Sequence, residues 1–185
     1  MDKSKFQGKV EYDEKNRPIF IDDGINKIRF EYKDDGTLHT VDENGFEADI
    51  FYDEKDKLHT VTDSNGNISK YDENGKLLYA YDKELGIKAW FGPKEEISYE
   101  IYEDGLQNWY DDNGTPLFSK LVNGTEVWYD EFGRMIKLEN KELNILRNYT
   151  YDEDSNTFVV EDNQGNSVRI SPEDIYKENI EEVEE

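Results

Sequence analysis

The chain contains no cysteine, four prolines, two histidines and two methionines among 185 residues. Without cysteine there is no disulfide framework, thiolate nucleophile or zinc–thiolate site. No apolar run approaches the roughly 20 residues needed to cross a bilayer as a helix. The first residues, Met1-Asp2-Lys3-Ser4-Lys5-Phe6-Gln7-Gly8, lack the apolar stretch of a secretory signal, so a cytoplasmic protein is expected. Positive charge is also scarce. There are 22 Lys and Arg against 45 Asp and Glu, a net charge of −23. Such a surface repels phosphate, which argues against direct contact with nucleic acid or an anionic membrane.

Apolar residues are 35% of the chain and the mean hydropathy is −1.00, values that lean toward disorder. The aromatics argue for a fold instead. They reach 14%, with 13 Tyr, 9 Phe and 3 Trp, and they are regularly placed. One recurs at Tyr12, Tyr32, Tyr52, Tyr71, Phe91, Tyr110, Tyr129 and Tyr151, in steps of 20, 20, 19, 20, 19, 19 and 22. A turn and then an apolar residue follow most of them, as in Asp34-Asp35-Gly36 before Leu38 or Asn74-Gly75 before Leu77. A second turn falls midway, at Asp22-Asp23-Gly24, Glu43-Asn44-Gly45, Ser64-Asn65-Gly66, Asp104-Gly105, Asn123-Gly124 and Gln164-Gly165. Asn-Gly and Asp-Gly between short alternating stretches are hairpin signals. Two turns in each repeat leave two short strands.

The pattern predicts an all-β fold: a row of about eight antiparallel hairpins forming an extended or curled sheet. It occupies residues 1–170 as one repeat domain. Strand alternation puts Phe30, Tyr32, Leu38 and Thr40 on one face, with Glu31, His39 and Val41 on the other. Two residues before each repeat aromatic stand Val10, Phe30, Ile50, Ser69, Ala89, Asn108, Val127 and Tyr149, so that face is the expected core. Ser171-Pro172-Glu173-Asp174 reads as the capped start of a short helix to about Ile180, in an acidic tail of residues 171–185.

The stretch from Tyr52 to Asn67 resembles the YD repeat of the RHS family: Tyr-Asp, a turn, Leu, then Val-Thr-Asp and a second Gly turn. Tyr71 to Leu77 and Asn123 to Met135 are similar. The likeness runs over roughly residues 10 to 168, with degenerate copies near Phe91 and Tyr151. It implies strips of antiparallel sheet. Large members curl such strips into a shell around a toxin and carry a self-cleaving core segment. Eight units are too few for that shell, and nothing here matches the core segment. Choline-binding repeats share the period, but they place Trp in most units, and only three units here carry one.

No chemistry is indicated. His39 and His59 are one repeat apart in Leu-His-Thr-Val and could approach one another as metal ligands, but duplication of one unit explains them as well. The turn Asp63-Ser64-Asn65-Gly66-Asn67 places its Gly too early for an EF-hand. Carboxylates are so common in turns that no catalytic pair stands out. We expect neither an enzyme nor a cofactor nor a metal. Trp90, Trp109 and Trp128 are the informative irregularity. They precede Phe91, Tyr110 and Tyr129 at steps of 19, which predicts a ladder on the face opposite the repeat aromatics. Equivalent positions elsewhere are Glu11, Glu31, Phe51, Lys70 and Thr150. Beside Asp111, Asp112, Asp130 and Glu131 the three Trp make a candidate partner-binding stripe with an acidic rim. Packing that stiffens a thin sheet is the alternative reading.

A strongly basic protein is the partner such charge selects. The expected function is therefore a binding inhibitor of a basic protein that acts on nucleic acid, such as an immunity protein, an antitoxin or a phage anti-defence protein. Alternatives are a structural or cell-surface repeat module, or a repeat protein that binds a cation or cell-wall ligand. A monomer or edge-paired dimer is expected.

Overall fold

In the computed structural model, residues 8–175 are described. They form seventeen strands, all in one antiparallel sheet. The strands are β1 (Lys9–Tyr12), β2 (Pro18–Asp22), β3 (Lys27–Tyr32), β4 (Leu38–Asp42), β5 (Glu47–Asp53), β6 (Leu58–Asp63), β7 (Ile68–Tyr71), β8 (Leu77–Asp82), β9 (Ile87–Phe91), β10 (Ile97–Ile101), β11 (Gln107–Tyr110), β12 (Pro116–Lys120), β13 (Glu126–Tyr129), β14 (Met135–Asn140), β15 (Ile145–Asp152), β16 (Thr157–Asp162) and β17 (Ser167–Ile170). The hairpin row expected from the turn spacing is what forms. No helix among the described residues is long and apolar enough to cross a membrane. Of the anticipated tail helix the described residues show only a turn at 172–174, in which Ser171 Oγ donates to Asp174 Oδ2 at 2.7 Å. The remainder of that helix lies outside the described residues. The chain divides into two compact units, Met1–Lys88 and Ala89–Glu185.

Local chemistry explains the hairpins. In residues 111–115 the Asp111 carboxylate oxygen Oδ1 accepts the N–H groups of Asn113 and Thr115 at 2.8 and 2.9 Å. The Asp111 N–H donates to Thr115 O, and Gly114 N–H donates to Asp111 O. Gly114 closes the loop at φ 81°, where a side chain is strained. The same two-and-four clamp is built on Asp13, Asp42, Asp63, Asp72, Asp130 and Asp162. These seven aspartates thus serve as turn hardware, as short Asx side chains do.

These loops set register. Tyr110 pairs with Pro116 while Trp109 pairs with Phe118, so Leu117 has no residue opposite and forms a bulge. Ile19, Leu78 and Ile136 are left over in the same way. The loop at residues 54–57 differs. It has no Gly, and Lys57 takes the left-handed conformation at φ 54°. Asp53 pairs with Leu58, enclosing four residues, whereas Tyr32 pairs with Leu38 around five. That single-residue difference flips every following side chain.

In the first unit the pairings Phe30 with Thr40 and Tyr32 with Leu38 place these four on one face, as expected. Among its described hydrophobic residues only Ala48 is buried; the other apolar side chains stay partly exposed. The core of the second unit is concentrated in β13 to β17. Val127, Met135, Leu138, Tyr149, Phe158, Val160 and Ile170 pack together with Ile175. The anticipated core positions Ala89, Val127 and Tyr149 are buried, while Asn108 is polar and half-buried. The core therefore does not run evenly along the repeats. Asn140, 1% exposed, ties two turns together: its Nδ2 donates to Thr125 Oγ1 at 2.9 Å, and its Oδ1 accepts Leu143 N–H at 3.0 Å.

The clamp gives a testable asymmetry. The Thr115 N–H, then that of Asn113, hold the Asp111 carboxyl below the usual carboxylate range. A carboxyl lowered in the folded state stabilises above its unfolded pKa of about 3.9, and that stability is lost as pH falls through the lower folded value. Asp111→Ala should lower the thermal midpoint at pH 7, whereas Asp112→Ala, an exposed neighbour, should not. The gap between Asp111→Ala and the wild type should close below about pH 4, as followed by circular dichroism.

Candidate partner-binding face

The ladder expected from the tryptophans is present in the second unit and is longer than the three Trp. Trp90 on β9 meets Tyr99 on β10, with ring centroids 5.1 Å apart. Tyr99 meets Trp109 at 4.7 Å, Trp109 meets Phe118 at 5.0 Å, and Phe118 meets Trp128 at 5.2 Å. Pairing sets this row: Tyr99 lies opposite Trp109, Trp109 opposite Phe118 and Phe118 opposite Trp128. Directly opposed aromatics in tilted contact stabilise one another beyond simple burial. Trp90 is 37% exposed, and the other four rings are half-buried. An aromatic surface thus stays open to solvent along five strands.

The sixth rung is a cation. Lys137 lies opposite Trp128, and its Nζ sits 4.3 Å from the Trp128 ring centroid and 2.8 Å from Glu139 Oε2. The hydrogen bond from Lys137 holds the Glu139 carboxyl below the usual range. Aromatic and carboxylate clasp a cation elsewhere too. Arg134 lies 4.8 Å from the Phe132 centroid and 4.6 Å from that of Tyr151, with Nε 2.7 Å from Asp130 Oδ2. In the first unit Arg17 lies 4.1 Å over Tyr32, with its guanidinium 2.7 Å from Asp13.

The reverse face of β10 to β12 is polar and closed. Glu100, 8% exposed, accepts from Tyr102 Oη, Asn108 Nδ2 and Tyr110 Oη at 3.0, 2.9 and 2.6 Å. Asn108 Oδ1 in turn accepts from Ser119 Oγ at 2.7 Å. Burial, and then the Glu100 carboxylate, pushes the Tyr110 hydroxyl well above the usual tyrosine range. Every buried side-chain polar atom among the described residues has a partner. This network fixes the strands from behind, so the ladder in front is presented on a set backbone.

The acidic rim separates into two kinds. Asp111 and Asp130 are committed to their turns, while Asp112 and Glu131 are exposed. Tyr99, Phe118 and Lys137 were not singled out from the sequence. The signal was there, since they too are spaced by 19.

The histidines are not brought together. His39 pairs with Asp49, and His59 pairs with Tyr52, which lies on the other face of β5. His39 Nδ1 is 2.8 Å from Asp49 Oδ1, which also accepts from Lys33 Nζ at 2.9 Å. His59 stacks on Tyr52 at 4.6 Å. The two could not share a metal, and no group of three potential protein ligands occurs among the described residues.

No protein-family model matches the chain, and no curated protein matches it. Solved structures do. The chain is similar to the G-box domain of the microcephaly protein CPAP, at TM-score 0.51 and 16% identity over 89% of this chain and 99% of that one. It is also similar to the TCP domain of SAS-4 (dCPAP) of Drosophila melanogaster, which was solved in complex with a proline-rich motif of Ana2. There the TM-score is 0.52 and identity 11%, over 78% of this chain and 90% of that one. At such identity the likeness is one of fold. A match to TcdB2-TccC3-TEV has TM-score 0.33 over 11% of that chain, too low to bear on the YD-repeat resemblance.

If the rings form a continuous stack, Trp109 and Phe118 must be energetically coupled. A double-mutant cycle of Trp109→Ala and Phe118→Ala, read by chemical denaturation, should give a coupling of about 1 kcal/mol. A value near zero would mean that the two rings contribute independently.

Proposed function

We propose that this chain is a non-enzymatic, acidic protein-binding module that inhibits a basic partner by covering its positively charged surface. One observation carries the reading: five aromatic rings in contact lie on a solvent-facing side of the second unit, where burial in the fold does not demand them. Trp and Tyr dominate the energetics of protein interfaces because each buries a large rigid area and also carries a polar group. The net charge of −23 supplies the steering. Opposite fields raise association rates and reject wrong partners. Proteins that act on nucleic acid are the basic class this field suits best, and an immunity protein, antitoxin or phage anti-defence protein working in the cytoplasm is the corresponding role. The YD-repeat resemblance fits a bacterial or phage setting.

A second reading has its own support. The dCPAP domain that shares the fold holds a proline-rich motif. The Trp rings recur at every second strand, roughly 10 Å apart at about 4.8 Å per strand. One three-residue turn of a polyproline helix covers about 9.3 Å. An extended segment could therefore meet the Trp in phase. Both readings place a partner against the ladder.

The test uses the intact chain as bait, with captured proteins purified and measured individually. The proposed role requires a basic partner whose association rate falls at least tenfold between roughly 50 and 300 mM salt, with dissociation little changed. It also requires that Trp109→Ala or Trp128→Ala weaken binding by about 2 kcal/mol or more while the circular dichroism stays native. A partner of acidic isoelectric point, or affinity indifferent to salt and to both Trp, would overturn it.

A further inference from the structure

We infer that, in each unit, the turns at one end of the strands form a second contact surface, an apolar row that takes an amphipathic helix with basic flanks. The surface is separate from the ladder, lying at strand ends rather than on a sheet face, and it goes beyond the proposed function in assigning a further contact. Neighbouring strands are antiparallel, so successive turns fall alternately at opposite strand ends. Turns after odd-numbered strands have charged tips, such as Lys15, Asp34, Lys55 and Asp112. Turns after even-numbered strands carry exposed apolar side chains instead: Ile25, Phe46 and Leu85 in the first unit, Val122 and Leu143 in the second. Ile25 is 81% exposed, Val122 63% and Leu143 61%. Among the described odd turns Phe132 is the one large apolar side chain left exposed, and Arg134 lies over its ring. Single exposed apolar residues are ordinary on a surface, but a preference for one strand end is not.

The turn geometry does not call for these residues. Residues 82–86 and 140–144 fold like 53–57 and 152–156. In all four the fourth residue donates its N–H to Oδ1 of the first, at 2.9, 3.0, 3.1 and 3.3 Å respectively, and the fifth has positive φ. The fourth place holds Leu85 and Leu143 at the even end, but Asp56 and Ser155 at the odd end. Adjacent even turns are also tied together. In the second unit the buried Asn140 donates to Asn123 O and Thr125 Oγ1 and accepts from the Leu143 N–H. In the first, Lys27 Nζ reaches Glu43 Oε2 at 3.4 Å between the turns of Ile25 and Phe46. Each tied pair of turns spans two strands, about 9.6 Å at about 4.8 Å per strand.

Hydrogen bonding and charge select the occupant. The N–H groups of Leu121, Gly124, Thr125 and Leu143 are already taken, so an added β-strand finds no open row here and recognition falls to side chains. Helical residues seven apart share a face and lie about 10.5 Å apart, which matches one apolar residue for each turn of the row. The exposed acids Asp23, Glu43, Glu84 and Glu142 stand beside the tips, where Lys or Arg flanking the helix stripe would meet them. A second copy of this chain, with its charge of −23, or an anionic lipid surface is repelled.

The probe is a labelled Leu-Lys peptide of about 18 residues with Leu at helical spacing. It is compared by fluorescence anisotropy, at about 0.15 M salt, with a permuted peptide of the same composition that has no apolar face. The amphipathic peptide should bind the intact chain several-fold more tightly. Val122→Ser with Leu143→Ser should weaken it several-fold, as should Ile25→Ser with Phe46→Ser, while Phe132→Ser leaves it unchanged. Circular dichroism should stay native in all three, and Leu143→Lys, which adds a like charge, should weaken the peptide more than Leu143→Ser. Equal binding of the two peptides would mean diffuse electrostatics and overturn the inference. Loss of binding with Trp109→Ala but not with the turn variants would put the helix on the ladder and overturn it too. So would co-sedimentation with phosphatidylcholine vesicles that the Ser variants abolish without peptide discrimination, or a wild-type dimer that they convert to monomer.

Discussion

In seven of the described hairpins an aspartate accepts the N–H groups two and four residues further along, and that clamp sets which residue opens the next strand. The rest of the molecule follows from it. Where the loop has the five-residue clamp with Gly in the left-handed region, the apolar residue after the turn lands on the face of the preceding aromatic. Where Lys57 replaces the Gly, the loop shortens by one and the faces exchange. In a sheet whose first unit buries little, register cannot be enforced by a core, because few side chains are penalised for choosing the wrong face. The turns must enforce it. This gives seven of the 45 acids a structural role without any reference to function.

The second unit adds two devices that the first does not show among its described residues. One is a compact apolar cluster around Val127, Leu138, Tyr149 and Phe158. The other is the hydrogen-bonded seam in which Glu100, Tyr110, Asn108 and Ser119 satisfy one another. A buried carboxylate is tolerated only when donors surround it, and here three do so. Such a seam tolerates one strand alignment and penalises others, since a slip would strand Glu100 without partners. The aromatic ladder lies on the front of the same strands. Its rings therefore owe their spacing to polar chemistry on the reverse side.

Much of this was legible in the residues. The repeat, the turns and the antiparallel hairpins follow from where Asp-Gly, Asn-Gly and Tyr fall. Trp90, Trp109 and Trp128 sharing a face followed from strand alternation alone. Tyr99 and Phe118 were harder to see, because they belong to the intervening strands, and which residue stands opposite a Trp depends on the loop between. The bulge at Leu117 moves that assignment by one. His39 and His59 show the same limit. Identical Leu-His-Thr-Val stretches one repeat apart end on opposite faces, because the preceding loops differ by one enclosed residue. Period alone carries no information about that. Nor could it show that the apolar positions would gather into one core in β13 to β17 while Asn108 and Ser119 sit in a polar seam.

Charge acts on folding and on recognition with opposite sign. With 45 acids against 22 bases, like charges repel one another, so screening by salt relieves a cost in the folded state. The same screening weakens attraction to a basic partner and slows encounter. The carboxylates clamped in turns are largely insulated from this conflict, since their stabilisation comes from short backbone hydrogen bonds rather than from long-range fields. The unclamped acids, Asp112 and Glu131 among them, contribute mainly repulsion to the isolated protein. On the proposed function they are the groups that a basic partner meets. At the end of the ladder Lys137 already meets an acid in this way, reaching Glu139 while it lies over Trp128.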